Sequence, residues 1–121
     1  MTTAPTTSDH VERHRELRDG FRSLHRALPA TMSAFGSLHT AALADAALSS
    51  TTKELIALAI GITSRCEGCV TFHVHDALQA GATRAEIEEA IGVAVLMGGG
   101  PAAVYGSEAL AALDEFEAQR T

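Results

Sequence analysis

The sequence predicts an all-α fold, a compact bundle of about six helices, and three observations carry that expectation. Apolar residues recur at helical spacing along most of the chain, and no alternating apolar–polar run competes with them. The composition is 46% hydrophobic and rich in alanine, with four phenylalanines, one tyrosine and no tryptophan, which suits close-packed helices better than strands. Ser, Thr, Pro and Gly stand where such helices would begin and end. At 121 residues the chain reads as one domain, residues 9–121, behind a short tail, residues 1–8.

The tail is threonine-rich, broken by Pro5, and reads as disordered. Asp9 and Glu12 resemble a capping box opening a first helix from about His10 to Leu28, with Val11, Leu17, Phe21, Leu24 and Leu28 as a broken apolar stripe. Its arginines, Arg13 to Arg26, alternate with Glu12, Glu16 and Asp19 and read as a solvated face. His10 and His14 have the spacing of a metal pair, but on an exposed helix without a third ligand their placement reads as incidental. Pro29 suits the first position of a second helix reaching about Ala44, with Met32, Phe35, Leu38 and Leu43 inward.

A connection from Asp45 to Ser50 leads to a third helix capped by Ser49 or Thr51 and ending near Thr63. After a break at Ser64–Arg65, a fourth helix runs from Cys66 to Ala80, with Gly81 as its C′ residue. Thr83 and Glu86 form a second capping box, and the fifth helix reaches Met97. Gly98-Gly99-Gly100 reads as a turn needing positive φ, since a phosphate-binding loop would want a preceding strand. Pro101 opens the last helix, to about Ala118.

The chemistry concentrates between Lys53 and Gly81. Cys66, Cys69 and His73 spell C-x-x-C-x-x-x-H, and these are the only two cysteines. At ~100° per residue all three would project from one helix face. Cysteines three apart on a helix have Cα atoms ~5–5.5 Å apart, within disulfide reach. His73, four residues after Cys69, can exchange a thiol proton. Glu54 lies on the preceding helix, which a short turn makes an antiparallel neighbour, and axial rise brings it about level with His73. The expected order is Glu54, His73, thiol. A capping role competes for Glu54: with Thr51 as N-cap it would be the N3 partner, whereas with Ser49 as cap it is free to point inward. Small residues, Ala57 and Gly61 opposite Ala77 and Ala80, would let the two helices approach closely. His75 falls on the far side of the wheel and is expected at a surface or interface. Zinc bound by Cys66, Cys69 and His73 is the main chemical rival, but a structural zinc site needs four ligands. No metal or cofactor is expected.

A net charge of −6 without a basic stripe argues against nucleic acid. No stretch reaches the ~18–20 apolar residues of a membrane span. The N-terminus lacks the basic and apolar regions of a signal peptide, so the expected location is cytoplasmic. There, closely spaced cysteines are more often catalytic or metal-binding than a static staple.

The pattern E-x11-C-x-x-C-x-x-x-H, followed by A-x-x-A-G-A-T-x-x-E-I-x-E and M-G-G-G-P-A, resembles the carboxymuconolactone decarboxylase family, and within it the alkylhydroperoxidase D-like branch, from about Pro29 to Ala112. The resemblance implies an all-helical fold assembled as a homo-trimer or homo-hexamer. It also implies reduction of a peroxide substrate with electrons from a dithiol or disulfide-exchange donor. Carried over residue by residue, Cys69 attacks the peroxide, Cys66 resolves it, and Glu54 and His73 relay protons. Some relatives carry a further histidine immediately before the second cysteine, where this chain has Gly68. General physics points to the other sulfur, because a helix N-terminus and Arg65 favour thiolate at Cys66, although Glu67 opposes this. The rivals are lactone decarboxylation, which leaves the cysteine pair without a task, and a non-enzymatic redox-sensing helical oligomer.

Overall fold

The computed structural model describes residues 9–120, with side chains from residue 10 onward. The expected disordered tail and the Asp9 side of the first capping box lie outside the described residues. The helices are α1 (Asp9–Ala27), α2 (Pro29–Leu43), α3 (Ser50–Thr63), α4 (Glu67–Gln79), α5 (Arg84–Gly98) and α6 (Gly100–Gln119), with no strand among the described residues.

Local chemistry accounts for the boundaries. Pro29 occupies the first turn of α2, where a missing N–H costs nothing. Ser49 caps α3, its Oγ accepting from the Thr52 N–H at 3.1 Å. At α5 the box is reciprocal: Thr83 Oγ1 accepts from the Glu86 N–H at 3.2 Å while Glu86 Oε1 accepts from the Thr83 N–H at 2.8 Å. Gly99, with φ 69°, makes the turn between α5 and α6 that the glycine run suggested. α3 and α4 end in the same way. Beyond α4, the Gly81 and Ala82 N–H groups return to the carbonyls of Leu78 and Ala77. Beyond α3, those of Arg65 and Cys66 return to Ile62 and Gly61, with Arg65 in the left-handed region at φ 56°. That reversal delivers the chain directly into the first cysteine.

α3 to α6 pack on one another around Leu58, Ile62, Val70, Val74, Ile87, Leu113 and Phe116. Ala94, Ala102, Ala109 and Ala112 are also buried and keep α5 and α6 close. α1 lies across α4 and α6, and α2 folds back on α1.

Burial departs from expectation on the first two helices. Of the stripe expected on the first helix, Val11 and Leu17 are half-buried, but Phe21, Leu24 and Leu28 are exposed, and among the described side chains of α1 the buried one is His14, at 8% exposure. α2 has no buried residue: Met32 and Leu43 are half-buried, while Phe35 is 49% and Leu38 63% exposed. Helical periodicity marks an apolar face without saying which element covers it. Here α2 packs chiefly on α1 and, slightly, on α3.

Candidate active site

The site is built at the α3–α4 turn. Cys66 is the N-cap of α4 rather than a helical residue, and its Sγ accepts from the Cys69 N–H at 3.2 Å. The two cysteines nevertheless meet, joined as a disulfide with Cα atoms 5.1 Å apart. α3 approaches Cys69 so closely that a Cβ built on Gly61 would stand 3.1 Å from the Cys69 Cβ. Of the small residues expected to bring the two helices together, Gly61 faces Cys69 rather than Ala77 or Ala80, and its missing side chain seats the second cysteine against α3.

Because Ser49 caps α3, Glu54 is not a capping partner. Thr51 lies within the helix, and its Oγ1 donates to the Ala80 carbonyl at 2.6 Å. Glu54 points inward, only 4% exposed, and its Oε2 accepts from His73 Nδ1 at 2.9 Å. With Nδ1 donating there, Nε2 is the nitrogen left for proton exchange.

His73 and Cys69 line a cleft of about 820 Å³ between α1, α2 and α4, whereas Cys66 and Glu54 do not. Phe21 and Phe72, stacked at 5.3 Å, form an apolar wall with Met32 and Phe35. Arg18 and Arg22 add positive charge, and five of the chain's six histidines face this space.

His75 was expected to face away. α1 covers that side of α4, so His75 is half-buried, stacks on His14 at 4.1 Å and donates from Nδ1 to Asp76 Oδ1 at 3.0 Å. His14 also meets Phe72 and Phe116 edge-on. Burial pushes the His14 pKa below its usual value, helped by the nearby His75 and Arg18 and partly opposed by Asp76.

Sequence reasoning missed other contributors. Arg13 donates from Nε and Nη2 to both oxygens of Glu67 at 3.0–3.2 Å, tying α1 to the first turn of α4 and pairing the acidic neighbour of Cys66. At Gly68, a Cβ would stand 3.3 Å from Leu17 Cδ2, so α1 covers the position where some relatives carry histidine. His39 of α2 and Asp76 of α4 converge on Glu54, each offering a ligand atom within 4.8 Å of the others. Asp76 was detectable as the residue three beyond His73 on the same helix. His39 carried no motif, and only the fold of the α1–α2 hairpin brings it here.

A model of the carboxymuconolactone decarboxylase family matches residues 29–114. An uncharacterized protein of Cupriavidus necator is 42% identical over 112 residues, which cover 93% of this chain and 99% of that protein. An uncharacterized protein of the Paracoccus denitrificans cox locus is 43% identical over 84 residues, covering 69% and 76% of the two chains. Among solved structures, a carboxymuconolactone decarboxylase family protein from Legionella pneumophila superposes with a TM-score of 0.86 at 38% identity, covering 90% of this chain and 97% of that one. A family protein from Thermotoga maritima, for which involvement in an antioxidative response has been suggested, superposes with a TM-score of 0.70 at 28% identity, covering 75% and 94%.

Proposed function

This chain belongs to the carboxymuconolactone decarboxylase family, and from that premise we propose that it is a thiol-dependent peroxidase of the alkylhydroperoxidase D type. The observation that carries the reading is His73, hydrogen-bonded from behind by Glu54, on the same cleft wall as Cys69, the one sulfur of the Cys66–Cys69 pair that lines the cleft.

In this reading His73 Nε2 takes the Cys69 thiol proton. The thiolate attacks the terminal peroxide oxygen, the O–O bond breaks, and the alcohol leaves with that proton. Cys69 is then a sulfenic acid. The Cys66 thiol attacks its sulfur, water departs, and the disulfide forms. A dithiol donor reduces the disulfide by exchange and is itself oxidised. Glu54 holds the imidazole in one tautomer throughout. Location in a reducing compartment, and assembly as a homo-trimer or homo-hexamer, belong to the same reading. Lactone decarboxylation would leave the cysteines, and the pair that orients His73, without a role. The involvement suggested for the Thermotoga maritima relative supports the redox assignment.

The test is peroxide consumption by the reduced protein with a small dithiol donor. Turnover is expected in the wild type and none in Cys69→Ser. Cys66→Ser should give one turnover and a sulfenic acid that a dione reagent traps. A reduced wild-type protein that consumes no hydrogen peroxide or organic hydroperoxide would sink the proposal.

A further inference from the structure

We propose that His39, Glu54 and Asp76 form a binding site for one first-row divalent transition-metal ion at the edge of the cleft, which His39 and Asp76 line. The three residues come from α2, α3 and α4, and one ligand atom from each lies within 4.8 Å of the other two. Metal–nitrogen and metal–oxygen bonds of ~2.0–2.2 Å require ligand atoms somewhat closer together than that. His39 is exposed, so its side chain is free to rotate and close the gap.

The donor set points to this class of ion. Two carboxylates and one imidazole suit ions between Mn²⁺ and Zn²⁺, whereas Ca²⁺ and Mg²⁺ prefer all-oxygen shells. Three protein ligands leave coordination positions open, as in catalytic rather than structural sites. Both carboxylates are already oriented, Glu54 by His73 at 2.9 Å and Asp76 by His75 at 3.0 Å, which is the outer-shell bonding that metal-ligating groups generally have. Two carboxylates facing each other across such a short gap repel, and a cation between them relieves that repulsion. The burial of Glu54 strengthens the effect. The ion would also pin α2, which buries no side chain of its own. The cysteine sulfurs take no part, being bonded to each other.

The site shares Glu54 with the proposed proton relay but does not depend on peroxidase activity, so the two can fail separately. Untagged, chelator-stripped protein carrying the disulfide is titrated with Co²⁺ and read by visible d–d absorption and equilibrium dialysis. The expected result is one ion per chain, no thiolate-to-cobalt charge-transfer band, and a rise in Tm with added ion. His39→Ala and Asp76→Asn should each weaken binding by about tenfold or more. His10→Ala is the control for a second histidine near two carboxylates, where His10 Nε2 lies 3.6 Å from both Glu108 and Glu115, and it should bind as the wild type does. The Cys66→Ser/Cys69→Ser double variant should also bind normally, whether or not the peroxidase reading survives. Absence of binding at millimolar Co²⁺, binding unchanged in both His39→Ala and Asp76→Asn, or binding abolished by His10→Ala would overturn the proposal.

Discussion

At His73 a single hydrogen bond decides what the imidazole can do. Glu54 Oε2 occupies Nδ1 at 2.9 Å, which fixes the tautomer and leaves Nε2 as the nitrogen for the proposed proton exchange. Glu54→Gln preserves the shape and removes the charge. It is expected to shift alkylation of reduced Cys69 to higher pH and slow peroxide reduction, with a loss that does not add to that of His73→Ala. Alkylation rate against pH, in the wild type, both single variants and the double variant, reads this directly. An unchanged profile in Glu54→Gln would remove the relay. His14 makes a different pH prediction. Its folded pKa lies below the ordinary 6.5, so below that value the unfolded chain binds more protons than the folded one. The stability it contributes is therefore present above the ordinary pKa and is lost as pH falls through the folded value. Tm should decline between about pH 7.5 and 5.5 more steeply in the wild type than in His14→Phe. Parallel declines in the two proteins would place the acid sensitivity elsewhere.

Among the elements, the α3–α4 pair holds the proposed redox site, and its spacing is set where Gly61 faces Cys69. Adding one methyl there would put a Cβ 3.1 Å from the Cys69 Cβ, and a Cβ is fixed by its own backbone and cannot rotate aside as a side-chain tip can. Gly61→Ala should lower stability by about 1–3 kcal/mol, the usual range for overpacking. It should also slow disulfide closure by displacing Cys69 relative to Cys66. Gly92, with nothing within 4 Å of a built Cβ, is the control. Gly92→Ala on α5 should be neutral or stabilising by about 0.5–1 kcal/mol, since alanine is the better helix former. Urea denaturation and thiol counting after mild oxidation check both variants. Equal stabilities for the two would mean that the close approach is unimportant.

For the whole molecule, the apolar surface a single chain leaves open is the strongest sign of association. Leu38, Ile60, Val93, Leu96, Met97 and Val104 are all more than half exposed, with Leu96 at 80%. A surface of this kind commonly marks an interaction site, and a chain of this length gains from covering it. Light scattering at micromolar concentration should return an oligomer, a trimer or a hexamer. Leu96→Glu, which costs little at so exposed a position in an isolated chain, should shift the distribution toward monomer. A monomeric wild type would leave these side chains needing another explanation.

What the sequence determined by itself was local. Six helices, the Thr83–Glu86 capping box, the glycine turns and the Cys66–Cys69 pairing follow from interactions within a few residues, and such signals survive in one dimension. The Glu54–His73 pairing was also legible, because a short turn constrains two antiparallel helices almost as tightly as a helix constrains itself. Tertiary structure alone decided the rest. It buried His14 rather than Phe21, turned His75 inward, put Leu17 over Gly68, and brought His39 beside Glu54 and Asp76. Each of these depends on how the α1–α2 hairpin docks on the remaining helices. Periodicity fixes which face of a helix is apolar, whereas docking angle and partner emerge from packing summed over the whole chain.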